Sequence, residues 1–464
     1  MFILRYLLLF KFKGDRNEES FRRKIMLAEA LLFTTKGVDR LGKPDDGNTI
    51  MDHDPEEIKR HISINTSLAP VFYKDFKVNM LDTPGFFDFI GEVKAALRVT
   101  DSAIIVVCAV SGVEVGTEKV WDYSKKMNLS KLIFINKMDR ENANFKLVLQ
   151  NLREKFGTSV IPAQIPIGAA DSFKGIIDII KMKAFYFNGE KVEEGPIPQE
   201  LSNDVAEYRQ IIIDSIAETD DDLLTKYLEG AELTPQEILN GFKTGTLSGK
   251  ITPVLCGSAL NLQGINLLLD MITDVLPSPD QRPPIKGINP KTNSEETRNA
   301  SESEPFSALV FKTMADPFVG KLSLFRVYSG TISSDSQIYN STKDLTEHVG
   351  KIMLIKGKNQ EPTDKLGPGD FGAVVKLQQT TTNDTLCDKD APIILEPIQF
   401  PKPVLILAIK PKNKGDEDKI SQGLNRLTEE DPTFAVERDT VTREMIVKGL
   451  GDLHLEVISS RLQK

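Results

Sequence analysis

Four apolar runs, each closed by a short polar turn, constrain this chain more than any other feature: VNMLDTPG from Val78, AIIVVCAV from Ala103, KLIFINKMD from Lys131 and PVLCGSALN from Pro253. Continuous apolar strands suit a parallel sheet covered on both faces by helices. Helix-like stretches fall between them, FFDFIGEVKAALRV after the first and Glu118 to Met127 before the third, so βαβ units repeat. The fold class is α/β with a doubly wound parallel sheet. In such sheets ligands bind outside the carboxyl ends of the strands, so the polar turns are where chemistry is expected.

The spacing of these runs organises the rest of the 464 residues. More than a hundred residues separate Asp139 from the last run, far more than the ~30 of one βαβ unit. An α+β insert is therefore expected at about 159–250, and its acidic run Asp220 to Asp222 reads as a solvated loop or helix start. The apolar helix ending at Pro277 closes a first domain over 27–282, and the Pro-, Ser- and Asn-rich stretch 283–305 reads as a linker. Short alternating strands over 306–399 predict a small β-barrel. The order strand, helix, strand, strand, helix over 400–464 predicts an incomplete ferredoxin-like α+β domain that lacks its last strand.

Composition narrows the class. With 58 Lys and Arg against 67 Asp and Glu, the net charge of −9 argues against charge-driven coating of nucleic acid. Cys108, Cys256 and Cys387 are too far apart for a close-spaced metal pattern and odd in number for a disulfide framework, which points to a reducing compartment. The four histidines show no ligand spacing. The first residues, MFILRYLLLFKF, are too short to span a bilayer, which takes ~20 apolar residues, and lack a cleavage site, so 1–26 is an atypical segment read as a strand or stub.

Three of the turns carry a chemical assignment. Asp82-Thr83-Pro84-Gly85 follows one strand, Asn136-Lys137-Met138-Asp139 follows another, and Gly257-Ser258-Ala259 follows a third. Asp82 can hold magnesium through its water shell, and Gly85 can turn its N–H toward a terminal phosphate. The Asp139 carboxylate can accept two hydrogen bonds from guanine N1–H and the exocyclic amine, which adenine cannot supply, so the site selects GTP or GDP. Asn136 braces the loops, Lys137 lays its stem along the base, and backbone N–H groups near Ser258 and Ala259 face the guanine carbonyl.

With these turns in place the sequence resembles the translational GTPases, and within them the elongation factor G branch, over nearly everything from Leu27 to Lys464. The resemblance is carried by DRLGKPDDGNTIMDHDPEEIKRHISINTS, the place of the family's first nucleotide switch, DTPGFFDF, the place of its second, INKMDRENANF, VLCGSALNLQGINLLLD, FKTMADPFVGKLSLFRVYSG and EEDPTFAVERDTVTREMIVKGLGDLHLEVI. It implies a P-loop-type GTPase domain, GTP and Mg2+ as cofactors, ribosomal RNA and proteins as partners, a role in translocation or ribosome recycling, a cytoplasmic location away from membranes and a monomer off the ribosome.

Departures from the family pattern bear on activity. The phosphate loop GxxxxGKT would fall on Glu18 to Ile25, which reads EESFRRKI, leaving only Lys24 as a phosphate candidate. The apolar start is then sequence foreign to the family, standing where the first strand and phosphate loop belong. Phe86 stands where the family carries a histidine that positions water, so no catalytic residue is assigned and hydrolysis is expected to be slower by ~10²–10⁴. Ser63 keeps a hydroxyl that could ligate Mg2+, while His61 replaces a glycine. The family's fourth and fifth domains are expected to be missing. A tetracycline-resistance-type ribosomal protection protein and a catalytically dead ribosome-binding fragment stand as alternatives.

Overall fold

The computed structural model describes residues 3–10, 26–189, 191–316, 320–411 and 415–463. The apolar runs form one seven-stranded sheet. Its strands are β1 (Ile3–Phe10), β2 (Ser67–Tyr73), β3 (Phe76–Asp82), β4 (Ser102–Cys108), β5 (Ser130–Asn136), β6 (Val160–Pro162) and β7 (Thr252–Cys256), in the order β2-β3-β1-β4-β5-β7-β6. Every neighbouring pair from β3 to β6 is parallel. Such strands need cover on both faces, and Ile104, Ile133, Phe134 and Val254 are fully buried. The atypical start is thus a strand inside the sheet, with Ile3 to Leu9 in register with Phe76 to Asp82.

The helices of the same stretch of chain are α1 (Met26–Thr34), α2 (Pro55–Arg60), α3 (Ile90–Arg98), α4 (Val115–Lys126), α5 (Phe145–Phe156) and α6 (Ile265–Val275). Local sequence sets their starts. Asn144 caps α5 by accepting from the Leu147 N–H at 3.0 Å. The insert holds a four-stranded antiparallel sheet over Gln164–Ile167, Gly175–Asp178, Lys183–Asn188 and Lys191–Gly195, then three helices. Asp220 caps the helix Asp221–Leu228 by accepting from the N–H groups of Asp222 and Leu223. The acidic run is therefore a helix start, as its composition suggested.

The chain sorts into two compact units: Met1–Thr49, Val71–Asp82 and Thr100–Ser278 in the first, and Ile50–Pro70, Thr83–Val99 and Pro279–Lys464 in the second. Sequence boundaries do not anticipate this, because both stretches read as nucleotide switches leave the 27–282 block. Bonds inside the second unit give the reason. Arg98 donates to the Tyr328 hydroxyl at 2.9 Å and the Glu396 carbonyl at 3.0 Å. The Lys312 ammonium meets Glu92 at 2.6 Å, and Arg461 meets Asp54 at 2.8 Å.

The barrel segment forms an eight-stranded antiparallel sheet. It wraps one core, because Val349 from its terminal strand and Ile352 from the far side both join Val310, Phe325 and Leu386. The stretch read as a linker, 283–305, is instead structured. Ile285–Ile288 pairs with Glu295–Arg298 as a hairpin and with Ile394–Leu395. Its Asn-, Pro- and Thr-rich sequence is the hairpin turn, where Asn293 takes φ 58°. The last domain has β8 (Leu405–Ile409), α7 (Glu417–Glu430), β9 (Ala435–Arg438), β10 (Met445–Gly449) and α8 (Asp452–Leu462), with sheet order β8-β10-β9.

Candidate functional site

In the first unit the turn after β5 and the turn after β7 are tied by one side chain. Asn136, 2% exposed at the end of β5, accepts the Lys137 N–H at 2.8 Å and the Ala259 N–H at 2.9 Å through Oδ1. The Met138 N–H donates to the Gly257 carbonyl at 3.1 Å, and the Gly257 N–H to the Ile135 carbonyl at 3.0 Å. Lys137 adopts the left-handed conformation, φ 69°, which lets the chain reverse directly after the strand. Met138 is fully buried, so it serves as the anchor of the loop. Met26, Asn136, Lys137, Asp139, Ser258 and Ala259 then line one small cleft with Arg140 and Leu260.

Two polar groups in this cleft lack protein partners. The Asp139 Oδ1 atom is buried and accepts no hydrogen bond from any described residue. Such an atom is costly unless a ligand satisfies it. In the turn 258–263 the Ser258 N–H donates to Gln263 and the Ala259 N–H to Asn136. Asn261 and Leu262 donate to Ser258 and Ala259, and Gln263 donates back to Ser258. The expected donors at Ser258 and Ala259 are therefore committed inside the protein, and the Leu260 N–H is the amide of the turn that meets no described acceptor. Sequence spacing could not separate these amides, since all of them follow the same strand.

Charge at the cleft is felt by its neighbour. Burial alone would raise the Cys108 thiol at the end of β4, yet the Lys137 ammonium and the N–H groups of Ser111 and Val110 hold it below the usual thiol value.

The phosphate-side residues fall on both units. Asp82 ends β3 in the first unit, in register with Leu9 of β1. In the second unit Thr83, Pro84 and Gly85 are buried, and the half-buried Phe86 caps the short turn Phe87–Phe89 through its carbonyl, 3.1 Å from the Phe89 N–H. Ser63 also lies there, and its hydroxyl donates to Asp52 at 3.0 Å, which leaves the oxygen lone pairs as the only part able to ligate a metal. Among the described residues no group of three or more His, Cys, Asp or Glu side chains could hold a metal ion by itself. Lys24 lies outside the described residues.

The second unit has two anchors: Glu57, which the sequence reading misses, and His454, which the absence of ligand spacing marks as structural. Glu57, 1% exposed, accepts four backbone N–H groups: Ile64 and Asn65 at 2.9 Å, Asp54 at 3.0 Å and His53 at 3.1 Å. The first-switch segment folds around this carboxylate, and the DPEE run that starts α2 as a capping box was the available signal. The second anchor is His454, 2% exposed, whose Nδ1 accepts the Leu450 N–H at 3.0 Å. A neutral ring then carries its proton on Nε2, 2.9 Å from Asp431.

Comparison with known proteins agrees with this organisation. The family profile described as Elongation factor Tu GTP binding domain matches residues 24–278. The profile Elongation factor G domain 2 matches 305–389, and Elongation Factor G, domain III matches 400–464. A crystal structure of a protein from Thermus thermophilus superposes with a TM-score of 0.87 at 28% identity, covering 99% of this chain and 66% of that one. The chain thus spans just under two thirds of that relative's length.

Proposed function

Because the chain belongs to the elongation factor Tu GTP-binding-domain family and carries the second and third domains of elongation factor G behind it, we propose that it is a guanine-nucleotide-dependent factor acting on the ribosome, in translocation or recycling. The observation that carries the nucleotide half of this reading is the buried Oδ1 of Asp139 in the cleft that Leu260 also lines, neither that oxygen nor the Leu260 N–H having a partner among the described residues. A guanine base supplies what each lacks. Its N1–H and amino group donate to the carboxylate, and its carbonyl oxygen accepts from the amide. The Lys137 stem lies along the base, and Asn136 keeps the two turns at fixed separation. Adenine would leave the carboxylate without donors, a mismatch worth about 1–3 kcal/mol for each lost bond.

Magnesium, when bound with the phosphates, neutralises charge on them, and Asp82 at the end of β3 is the side chain of the first unit that would hold it, partly through water. Turnover is slow in this reading, since the Phe86 ring can neither orient nor deprotonate water. The same reading makes the protein cytoplasmic, with ribosomal RNA and proteins as partners. No helix among the described residues is long and apolar enough to cross a membrane.

Calorimetric titration with GDP, followed by co-sedimentation with ribosomes in a non-hydrolysable GTP analogue or in GDP, tests the two halves in turn. Micromolar GDP binding and analogue-dependent pelleting are expected. Absence of GDP binding sinks the nucleotide half, and pelleting that ignores the nucleotide sinks the coupling. Phe86→His should raise ribosome-stimulated phosphate release toward the ~10²–10⁴ that a positioned base contributes, and an unchanged rate would clear Phe86 of blame.

A further inference from the structure

The loop after β5 borders two cavities. Lys137 and Asp139 line the nucleotide cleft, while Met138, between them in sequence, borders a second cleft of about 180 Å³ on the side of the insert. Every residue lining this second cleft belongs to the first unit. Its walls are apolar: Met138, Phe145 at the start of α5 and Ile165 of the insert are all buried. Backbone bonds fix the frame. The Met138 carbonyl accepts the Ala170 N–H at 2.8 Å, and the Asn144 N–H, just ahead of α5, donates to the Ala109 carbonyl at 2.9 Å. An apolar cavity of ~150 Å³ takes a benzene ring, so one aromatic ring is the size that fits here.

Polar residues of the lining narrow the chemistry. The Lys146 ammonium meets the Asp204 carboxylate at 2.7 Å, so an anionic occupant would compete with Asp204 and a cationic one with Lys146. A neutral occupant meets neither conflict. Tyr208, half-buried in the same lining, makes no hydrogen bond through its hydroxyl with any described residue. Burial and the charge of Asp204 raise its phenolic pKa, so it remains an O–H donor at neutral pH. That donor suits one oxygen on the occupant.

We propose that this cleft is a binding site for a neutral, single-ring aromatic molecule bearing one oxygen, and that its occupant steadies the loop that carries Asp139. Met138 makes the link. Methionine has three rotatable side-chain bonds and repacks to fill gaps, so a ring set against it holds one arrangement of the side chain and of the backbone on either side. The steadying of Asp139 bears on nucleotide affinity only if the guanine reading holds, whereas the site itself does not depend on it.

Nuclear magnetic resonance of the full chain labelled at its methionine methyl groups tests the site, with phenol as the probe. The resonance that disappears in Met138→Leu, a nearly volume-conserving change, is that of Met138. Phenol should shift it through the ring current and saturate with a dissociation constant of ~1 mM, a usual strength for so small a ligand, while the methyl of the exposed Met182 stays in place. Ala169→Phe, which fills the cleft from its wall, should abolish the shift. Tyr208→Phe removes one hydrogen bond and should weaken phenol by ~2–10-fold. A Met138 resonance that does not move in excess phenol overturns the proposal, as does a shift that Ala169→Phe leaves at full strength, a Tyr208→Phe chain with unchanged affinity, or equal movement at Met182. Saturating phenol should also tighten GDP binding by ~5-fold or more, and GDP should tighten phenol binding by the same factor. Equal GDP affinity with and without phenol overturns the steadying of Asp139, whereas a chain that takes phenol but no GDP upholds the site and refutes the guanine reading.

Discussion

Asp139→Asn tests the base contact at the level of two hydrogen bonds. The new amide presents a donor where guanine also presents donors, so GDP affinity should fall by about 10²–10⁴-fold, from ~1.5–3 kcal/mol for each of the two charge-assisted bonds lost. Xanthine nucleotides, which carry an acceptor in that place, should bind the variant better than GDP does, and competition titration distinguishes the two. The Asp431–His454 pair makes a second residue-level prediction. Burial alone would raise the Asp431 carboxyl, but the hydrogen bond from the His454 ring, with the hydroxyl and N–H of Thr433, holds it below the ordinary carboxylate value. A depressed folded-state pKa gives stability that is present above the unfolded value of 3.8 and is lost as pH falls through the lowered one. Asp431→Asn should therefore lower the melting temperature near neutral pH, and its gap from the wild type should close below pH 3.8 in a pH series of melts. The Asn136 to Asp139 turn was legible in the sequence because one strand end carries all four residues. The His454 pair was not, because its partners stand 23 residues apart and only the packing of α7 against α8 joins them.

At the scale of elements, β1 is the sharpest case. Its composition allowed a strand or an unfolded stub, and ladder partners, which a single segment cannot reveal, decide between the two. β1 lies between β3 and β4, so Leu7→Pro should delete a ladder bond inside the sheet and cost about 3 kcal/mol or more. Thermal melting measures this, and an unchanged transition would remove β1 from the sheet. The hairpin at 285–298 shows the opposite failure. Its turn residues dominate the composition, and strands of four residues carry too few alternations to register against them.

At the scale of the whole molecule, the sequence blocks and the compact units differ because the chain crosses between the units at five points. Segments that lie in the middle of one sequence domain bond to side chains from another, as Arg98 does with Tyr328, and no local pattern encodes such a partner. Five crossings should couple the melting of the two units. Trp121, the single tryptophan, stacks on Phe156 at 4.4 Å and reports on the first unit alone. Its fluorescence transition should coincide with the far-ultraviolet circular dichroism transition. GDP at a hundred times its dissociation constant should move both together by ~2.7 kcal/mol. Separate transitions, or a shift in fluorescence alone, would show that the units melt independently.

The position of β1 also sets a timetable. Ile3–Phe10 is made before both of its neighbours, Phe76–Asp82 and the start of β4 up to Ile105. At ~5–20 residues per second, synthesis leaves this strand without one flank for roughly 5–20 s. During that interval the apolar leading segment is a target for holding chaperones, and slowing translation between codons 10 and 105 lengthens the interval in proportion.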